Sequence, residues 1–159
     1  MKNLLLFVIL FLLFLSGCFY ESPAPTDDEL IKNLQNNREA FDQLVALMTK
    51  DNYFVVSYDP KWSKPEDIPL QKRNQYYRLL KKINADQIRK NGASIEIVVW
   101  SIGFLDVGSY KGYLYMPGGS GKSYKSVDSL DNFTPEGRYE SLMREIGEGW
   151  CLYYEHFPG

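Results

Sequence analysis

A run of twelve apolar residues near the amino terminus, residues 4–15, divides this chain into a leader and a folded part. As an α-helix the run would be about 18 Å long, whereas the hydrocarbon layer of a bilayer is roughly 30 Å thick. The run is therefore too short for a permanent span, and its length is typical of a signal-peptide core. Lys2 supplies the positive charge that precedes such a core. We predict that the leader takes no part in the fold.

The leader ends with small residues in front of a cysteine. The order is Leu15-Ser16-Gly17-Cys18. This pattern resembles the lipobox of bacterial lipoprotein precursors. The resemblance implies that residues 1–17 are cleaved off, that a diacylglycerol is attached to the sulfur of Cys18, and that the new amino group is acylated. Two or more acyl chains hold a protein firmly in a membrane. Phe19 stands where such lipoproteins of two-membrane bacteria carry an inner-membrane retention aspartate. We therefore expect the periplasmic face of the outer membrane, in a host that has one.

A tether and a single domain follow the leader. Two prolines and no periodicity predict an extended tether over residues 18–26, and residues 27–159 are predicted to form one α+β domain. The mature chain has 17 basic and 20 acidic side chains, a balance of −3. This weakly acidic balance argues against nucleic acid as a partner and against attraction to anionic headgroups by overall charge. Cys151 is the one cysteine left beside Cys18, so no internal disulfide is expected.

Helical patterns occupy the first half of the domain, and strand patterns occupy the second half. Thr26 and Glu29 match a capping box, and apolar residues then recur at helical spacing as far as Met48. A strand at 53–58, a loop at 61–68 and a helix at about 69–84 follow. Further strands are predicted at 94–102, 110–116, 124–127 and 146–157, and 139–144 is either a helical turn or a bent strand. Alternation places Trp100 on the face of Val98 in the strand at 94–102, and it places Trp150, Leu152 and Tyr154 opposite Cys151, Tyr153 and Glu155 in the last strand. This order predicts an α+β fold, with N-terminal helices packed on one face of an antiparallel sheet of about four to five strands.

The glycine-rich segment 117–123 resembles a nucleotide-binding P-loop only in part. A P-loop needs a glycine where this chain has Met116. It also joins a strand to a helix, whereas residues 124–127 are predicted to form a strand. We therefore predict a glycine-rich hairpin loop and no bound nucleotide.

The domain carries no complete catalytic or metal-binding pattern. His156 is the only histidine, and Cys151 lies on the opposite face of the same predicted strand. No histidine–cysteine cluster has the spacing of a zinc site, and no cofactor is expected. No serine lies in a Gly-x-Ser-x-Gly elbow. A serine–histidine arrangement stays open, because the sequence does not place Ser57, Ser101 and Ser109 in space.

Tyrosines and one carboxylate provide the candidate binding surface. The chain has twelve tyrosines, and this side chain offers a large contact area with a polar tip. Tyr113, Tyr115 and Tyr153 lie on two predicted strands, and if these strands are neighbours some of the rings form a patch. The alternative is that the rings simply fill the faces of the sheet. Glu96 interrupts an apolar strand and is either a paired rim residue or a pocket acid with a raised pKa.

These features favour binding over catalysis. The segment 149–154 resembles the Trp-x-Leu-Tyr-Tyr closing strands of small bacterial lipoproteins of unknown function, which implies a sheet-closing strand and no activity. We predict a lipid-anchored bacterial envelope lipoprotein that binds an envelope protein or a small ligand. One alternative is an immunity-type lipoprotein that neutralises a toxin. Another is an envelope hydrolase that uses Glu96 or His156.

Overall fold

Helices gather in the first half of the chain. The structure is a computed structural model that describes residues 23–104, 107–118, 124–131 and 133–159. These ranges contain the α-helices α1 (Asp27–Asn36), α2 (Arg38–Lys50) and α3 (Leu70–Lys82), and a short 3-10 helix, Pro60–Trp62. None of the helices within these ranges has the length and apolar content needed to cross a membrane. The leader and Cys18 lie outside them.

The predicted first helix is in fact two helices. The capping box is confirmed, because the Thr26 hydroxyl accepts a hydrogen bond from the Glu29 N–H (3.2 Å) and Glu29 Oε2 accepts one from the Thr26 N–H (2.8 Å). The continuous helix to Met48 is wrong, because the backbone leaves the helical conformation at Asn37. There the Asn37 side-chain amide donates to the carbonyl (3.3 Å) and to Oδ1 (2.8 Å) of Asn33. Such local bonds compete with helical backbone bonds.

The second half forms most of one seven-stranded sheet. Its strands are β1 (Val55–Ser57), β2 (Gln87–Asn91), β3 (Ser94–Phe104), β4 (Val107–Tyr115), β5 (Lys125–Ser126), β6 (Glu140–Gly147) and β7 (Trp150–Phe157). The spatial order is β1-β2-β3-β4-β7-β6-β5. Neighbours are antiparallel except for β5 and β6, which are parallel. The α+β class is confirmed.

The strand number and one loop differ from the prediction. The sheet has seven strands instead of four to five. Strand β2 was missed because Arg89 and Lys90 weaken its apolar pattern. Of the two alternatives for 139–144, the strand is observed, as β6. The strand predicted at 146–157 is interrupted, because Glu148 and Gly149, both with positive φ, form a tight turn between β6 and β7. The glycine-rich segment joins β4 to β5, which are not neighbours, so the hairpin is also wrong; residues 119–123 lie outside the described ranges.

Both faces of the central strands are buried. On one face, which we call the helix face, Ile97, Tyr113, Trp150 and Leu152 pack in one cluster with apolar residues of all three helices. On the opposite face, which we call the far face, the buried cluster consists of Val98, Leu114, Cys151 and Tyr153. The alternation predicted for the last strand is confirmed by this division.

A β-bulge changes the facing of side chains in β3. Val98 lies opposite Gly112, but the next residue paired with β4 is Trp100, opposite Lys111. The extra residue reverses the alternation beyond it. Trp100 therefore shares the helix face, whereas the sequence pattern placed it on the face of Val98. The physical reason is that an alternating pattern contains no information about an inserted residue.

A buried ion network ties the start of α1 to the sheet. Lys111 of β4 is 2% exposed, and its ammonium lies 2.9 Å from Asp27 Oδ1 and 2.8 Å from Asp131 Oδ1. Asp27 Oδ2 accepts hydrogen bonds from the Leu130 N–H (2.9 Å) and from Arg144 (3.0 Å). Burial alone would raise the pKa of Asp27, but these hydrogen bonds and the Lys111 charge outweigh it and lower the pKa. We call these residues the Lys111 network.

Candidate functional site

Two of the predicted surface tyrosines lie on the helix face. Tyr113 is fully buried; its hydroxyl donates to the carbonyl of Leu30 (2.8 Å) and its ring packs edge-on against Phe41 at a centroid distance of 4.6 Å. Burial raises the pKa of Tyr113. Tyr115 is partly buried and its ring lies 4.9 Å from that of Trp150. Tyr113 is therefore a core residue, and its prediction as part of an exposed surface is wrong.

Tyr153 and Glu96 lie on the far face, and both are buried. Tyr153 is fully buried and Glu96 is 2% exposed, so neither offers an exposed surface. Glu96 Oε1 accepts a long hydrogen bond of 3.4 Å from the side chain of Asn91. Tyr124 packs near Tyr153 and donates to Glu155 Oε1 at 3.2 Å. Burial, together with the carboxylates of Glu96 and Glu155, raises the pKa of Tyr153. The four predicted residues are thus divided between two faces and form no common patch.

A cleft beside residues 99–102 of β3 was not predicted. Its volume is about 430 Å³. It is lined by Pro23, Pro25, Asn84, Asp86, Val99, Trp100, Ser101 and Ile102. We call it the tether cleft, because Pro23 and Pro25 belong to the segment predicted as the tether. The sequence pattern missed the site because its lining joins residues from three segments that are far apart in the sequence.

Asp86 is the ionisable group of the tether cleft. Its backbone is fixed by two hydrogen bonds, from its N–H to the carbonyl of Val98 (2.9 Å) and from the N–H of Tyr58 to its own carbonyl (2.8 Å). Asp86 is exposed, and partial desolvation raises the pKa of its carboxyl. Perturbed carboxyl groups in clefts are typical of functional sites. The one sequence signal for this residue is its place in an Asn-Ala-Asp turn directly before a strand.

A serine and the histidine meet across two neighbouring strands. Ser109 Oγ lies 3.0 Å from His156 Nδ1, and the Tyr154 hydroxyl donates to Ser109 Oγ at 2.9 Å. Ser109 and His156 are direct partners in the register of β4 and β7. When the imidazole carries its proton on Nε2, Ser109 can donate its own proton to Nδ1. Ser109 is only 6% exposed, and it does not line the tether cleft.

No metal centre was found within the described ranges, where no group of three or more histidine, cysteine, aspartate or glutamate side chains has a suitable arrangement. Comparisons of the chain with protein-family models, with curated proteins and with solved structures found no match. The tether cleft and the Ser109–His156 pair are therefore the structural basis for a functional assignment.

Proposed function

We propose that this protein is a lipid-anchored envelope lipoprotein, held in the membrane through Cys18, whose domain binds a protein segment or a small molecule in the tether cleft. The leader pattern supports the anchor. One observation carries the binding part: a cleft of about 430 Å³ combines apolar side chains with the carboxyl group of Asp86. Apolar pockets with a few polar groups are the usual form of ligand sites.

The lining of the tether cleft indicates the chemistry of its ligand. Val99, Trp100 and Ile102 supply apolar surface, and Asn84 and Asp86 supply hydrogen-bonding groups at one side. A matching ligand has an apolar portion and an amine or amide that donates to the Asp86 carboxylate. Such a ligand is bound beside the tether, and therefore close to the membrane.

The anchor is tested by metabolic labelling of the host with an alkyne-tagged fatty acid. We expect the wild-type protein to carry the tag and to fractionate with membranes. The Cys18→Ser variant is the matched control and should lose both the tag and the membrane association. Tag on the Cys18→Ser variant, or none on the wild type, contradicts the anchor.

The ligand site is tested by photo-cross-linking in intact envelopes. A photoreactive amino acid at Ser101, an exposed position in the tether cleft, should give a discrete adduct. The same amino acid at Ser126, an exposed position on the edge strand β5, is the control and should not give that adduct. Trp100→Ala should abolish the adduct at position 101. An adduct that appears equally at both positions, or none at 101, refutes binding in the cleft.

A hydrolase is the second candidate, and the contact between Ser109 and His156 favours it. A serine that can donate to an imidazole is the first requirement of a nucleophile and its base. The test is labelling with a fluorophosphonate probe, which reacts with activated serines. Labelling of the wild type that Ser109→Ala removes and Ser126→Ala retains would support this activity. Absence of labelling leaves the Ser109–His156 pair as a cross-strand hydrogen bond.

A further inference from the structure

An aromatic and basic surface is exposed at the β1 edge of the sheet. Tyr58 is 52% exposed and Trp62 is 60% exposed. The ammonium of Lys61 lies 5.4 Å from the centre of the Trp62 ring and 3.0 Å from Oδ2 of the exposed Asp59. The N–H of Ser57 donates to Ser63 Oγ (3.1 Å), which holds the 3-10 helix that carries Trp62 against the end of β1. The large exposed ring is therefore presented by a fixed segment of backbone.

Helix α3 extends this surface. Tyr77 of α3 stacks on Tyr58 with a centroid distance of 5.3 Å. Lys81 lies four residues after Tyr77, on the same side of the helix, and it is exposed. We call Tyr58, Lys61, Trp62 and Lys81 the Trp62 surface. It combines apolar rings with cations, as residues at membrane–water interfaces do.

The charge of the domain is unevenly distributed. Residues 59–82 carry seven basic and three acidic side chains, a balance of +4, whereas the whole mature chain has a balance of −3. The rest of the mature chain is therefore at −7. The overall charge argued against attraction to anionic lipid, but the segment that carries most of the Trp62 surface is positive. A positive segment of this kind is attracted to an anionic membrane.

The chain enters the domain next to the Trp62 surface. Pro23, the first described residue, lines the same cleft as Asn84 and Asp86, and the carbonyl of Asp86 accepts the hydrogen bond from the Tyr58 N–H. Asn84 follows the C-terminus of α3 by two residues. Cys18 lies five residues before Pro23, and an extended chain of that length spans at most about 18 Å. An anchor on Cys18 therefore places the bilayer close to this side of the domain.

We propose that the Trp62 surface docks on an anionic phospholipid bilayer. This inference rests on the proposed lipidation of Cys18. The anchor keeps the surface at a high local concentration of lipid, so a contact that is weak by itself is sufficient. Trp62 and Tyr58 lie at the headgroup level, and Lys61 and Lys81 contact lipid phosphates. The domain then has one orientation on the membrane, with the tether cleft at the lipid surface.

The test measures quenching of tryptophan fluorescence by lipid. The lipidated protein is reconstituted in vesicles of phosphatidylethanolamine and phosphatidylglycerol whose acyl chains carry bromine near the headgroup. We expect the bromines to quench the tryptophan emission, and the Trp62→Phe variant to lose most of that quenching, because Trp100 is partly buried and Trp150 is fully buried. Phosphatidylcholine vesicles should give less quenching, because they offer no net negative charge to Lys61 and Lys81.

The matched control moves the exposed tryptophan ring toward the opposite edge of the sheet. Tyr139 is 53% exposed and immediately precedes β6, which lies five strand spacings, about 24 Å, from β1. In the double variant Trp62→Phe, Tyr139→Trp, the quenched fraction should be no larger than in Trp62→Phe alone. Equal quenching at both positions, or none at Trp62, overturns the proposal and leaves the surface for a protein partner. Full quenching in phosphatidylcholine overturns the role of charge.

Vesicle flotation separates this result from a failure of the anchor. Protein that floats without quenching of Trp62 refutes only the docking of the surface and leaves the lipid anchor intact. Protein that does not float has no anchor, and the docking inference is then overturned together with it. The Trp62→Phe variant should float as the wild type does.

Discussion

Replacement of Lys111 by methionine tests the role of the Lys111 network in stability. Methionine keeps the length of the side chain but removes its charge. Asp27 would then be left in the interior without the nearest cation, and Asp131 would lose one partner. Breaking a buried ion pair by removing one partner costs about 3–5 kcal/mol. Arg144 still contacts Asp27, so we expect the lower end, about 3 kcal/mol.

A loss of this size is large for a single domain, whose free energy of unfolding is typically about 5–15 kcal/mol. Urea denaturation followed by far-UV circular dichroism measures it, and the midpoint should fall by roughly 1–3 M for a slope of about 1–3 kcal/mol per molar. Lys82→Met, at an exposed position, is the control and should change stability by less than about 0.5 kcal/mol.

The substitution Asp27→Asn should restore part of the stability that Lys111→Met removes. In the double variant Lys111→Met, Asp27→Asn, the buried negative charge is absent, while a side-chain oxygen still accepts from the Leu130 N–H. The double variant should therefore be more stable than Lys111→Met alone. The reasoning is refuted if Lys111→Met costs less than about 1 kcal/mol, or if the double variant is no more stable than the single one.

Three further predictions concern stability. Asp27 has a lower pKa in the folded chain than its ordinary 3.8. The difference in unfolding free energy between the wild type and Asp27→Asn should therefore be constant from pH 7 to about pH 5 and shrink as the pH falls below 3.8. Tyr153→Phe should leave urea stability unchanged or increase it by about 1 kcal/mol, because the buried hydroxyl has no hydrogen-bond partner within the described ranges. Gly112→Ala should destabilise by more than about 2 kcal/mol in urea, because its Cβ would overlap the carbonyl of Ile97, whereas Gly118→Ala, which meets nothing, should be neutral.

Local signals allowed the prediction of elements whose cause lies within a few residues. The capping box at Thr26 and Glu29 marks the start of α1, because both of its hydrogen bonds are made between residues three apart. The alternation in residues 150–154 likewise gave the facing of β7 correctly. In β7, apolar side chains at alternate positions are buried on opposite faces of the sheet.

Features that depend on distant partners were not predictable from the same signals. The β-bulge before Trp100 exists only in the pairing of β3 with β4, so the pattern of β3 alone gave the wrong facing. Tyrosine is a residue type typical of recognition surfaces, but the helices cover Tyr113. Its hydroxyl donates a hydrogen bond to the carbonyl of Leu30, which is 83 residues away in sequence. The burial of Lys111 was not predictable either, because its partner Asp27 is also far away in sequence. The tether cleft was missed for the same reason.

The Lys111 network also determines where a mechanical load enters the domain. Asp27 is the first residue of α1, so tension along the segment that precedes Thr26 reaches the fold at the residue bound to Lys111. Lys111 belongs to β4, the middle strand of seven, which is hydrogen-bonded to β3 and β7 along its length. A pull on the segment that precedes Thr26 is thus transmitted to the centre of the sheet, and α1 does not have to detach first. A domain with this attachment is suited to remain folded while its amino-terminal segment is under tension.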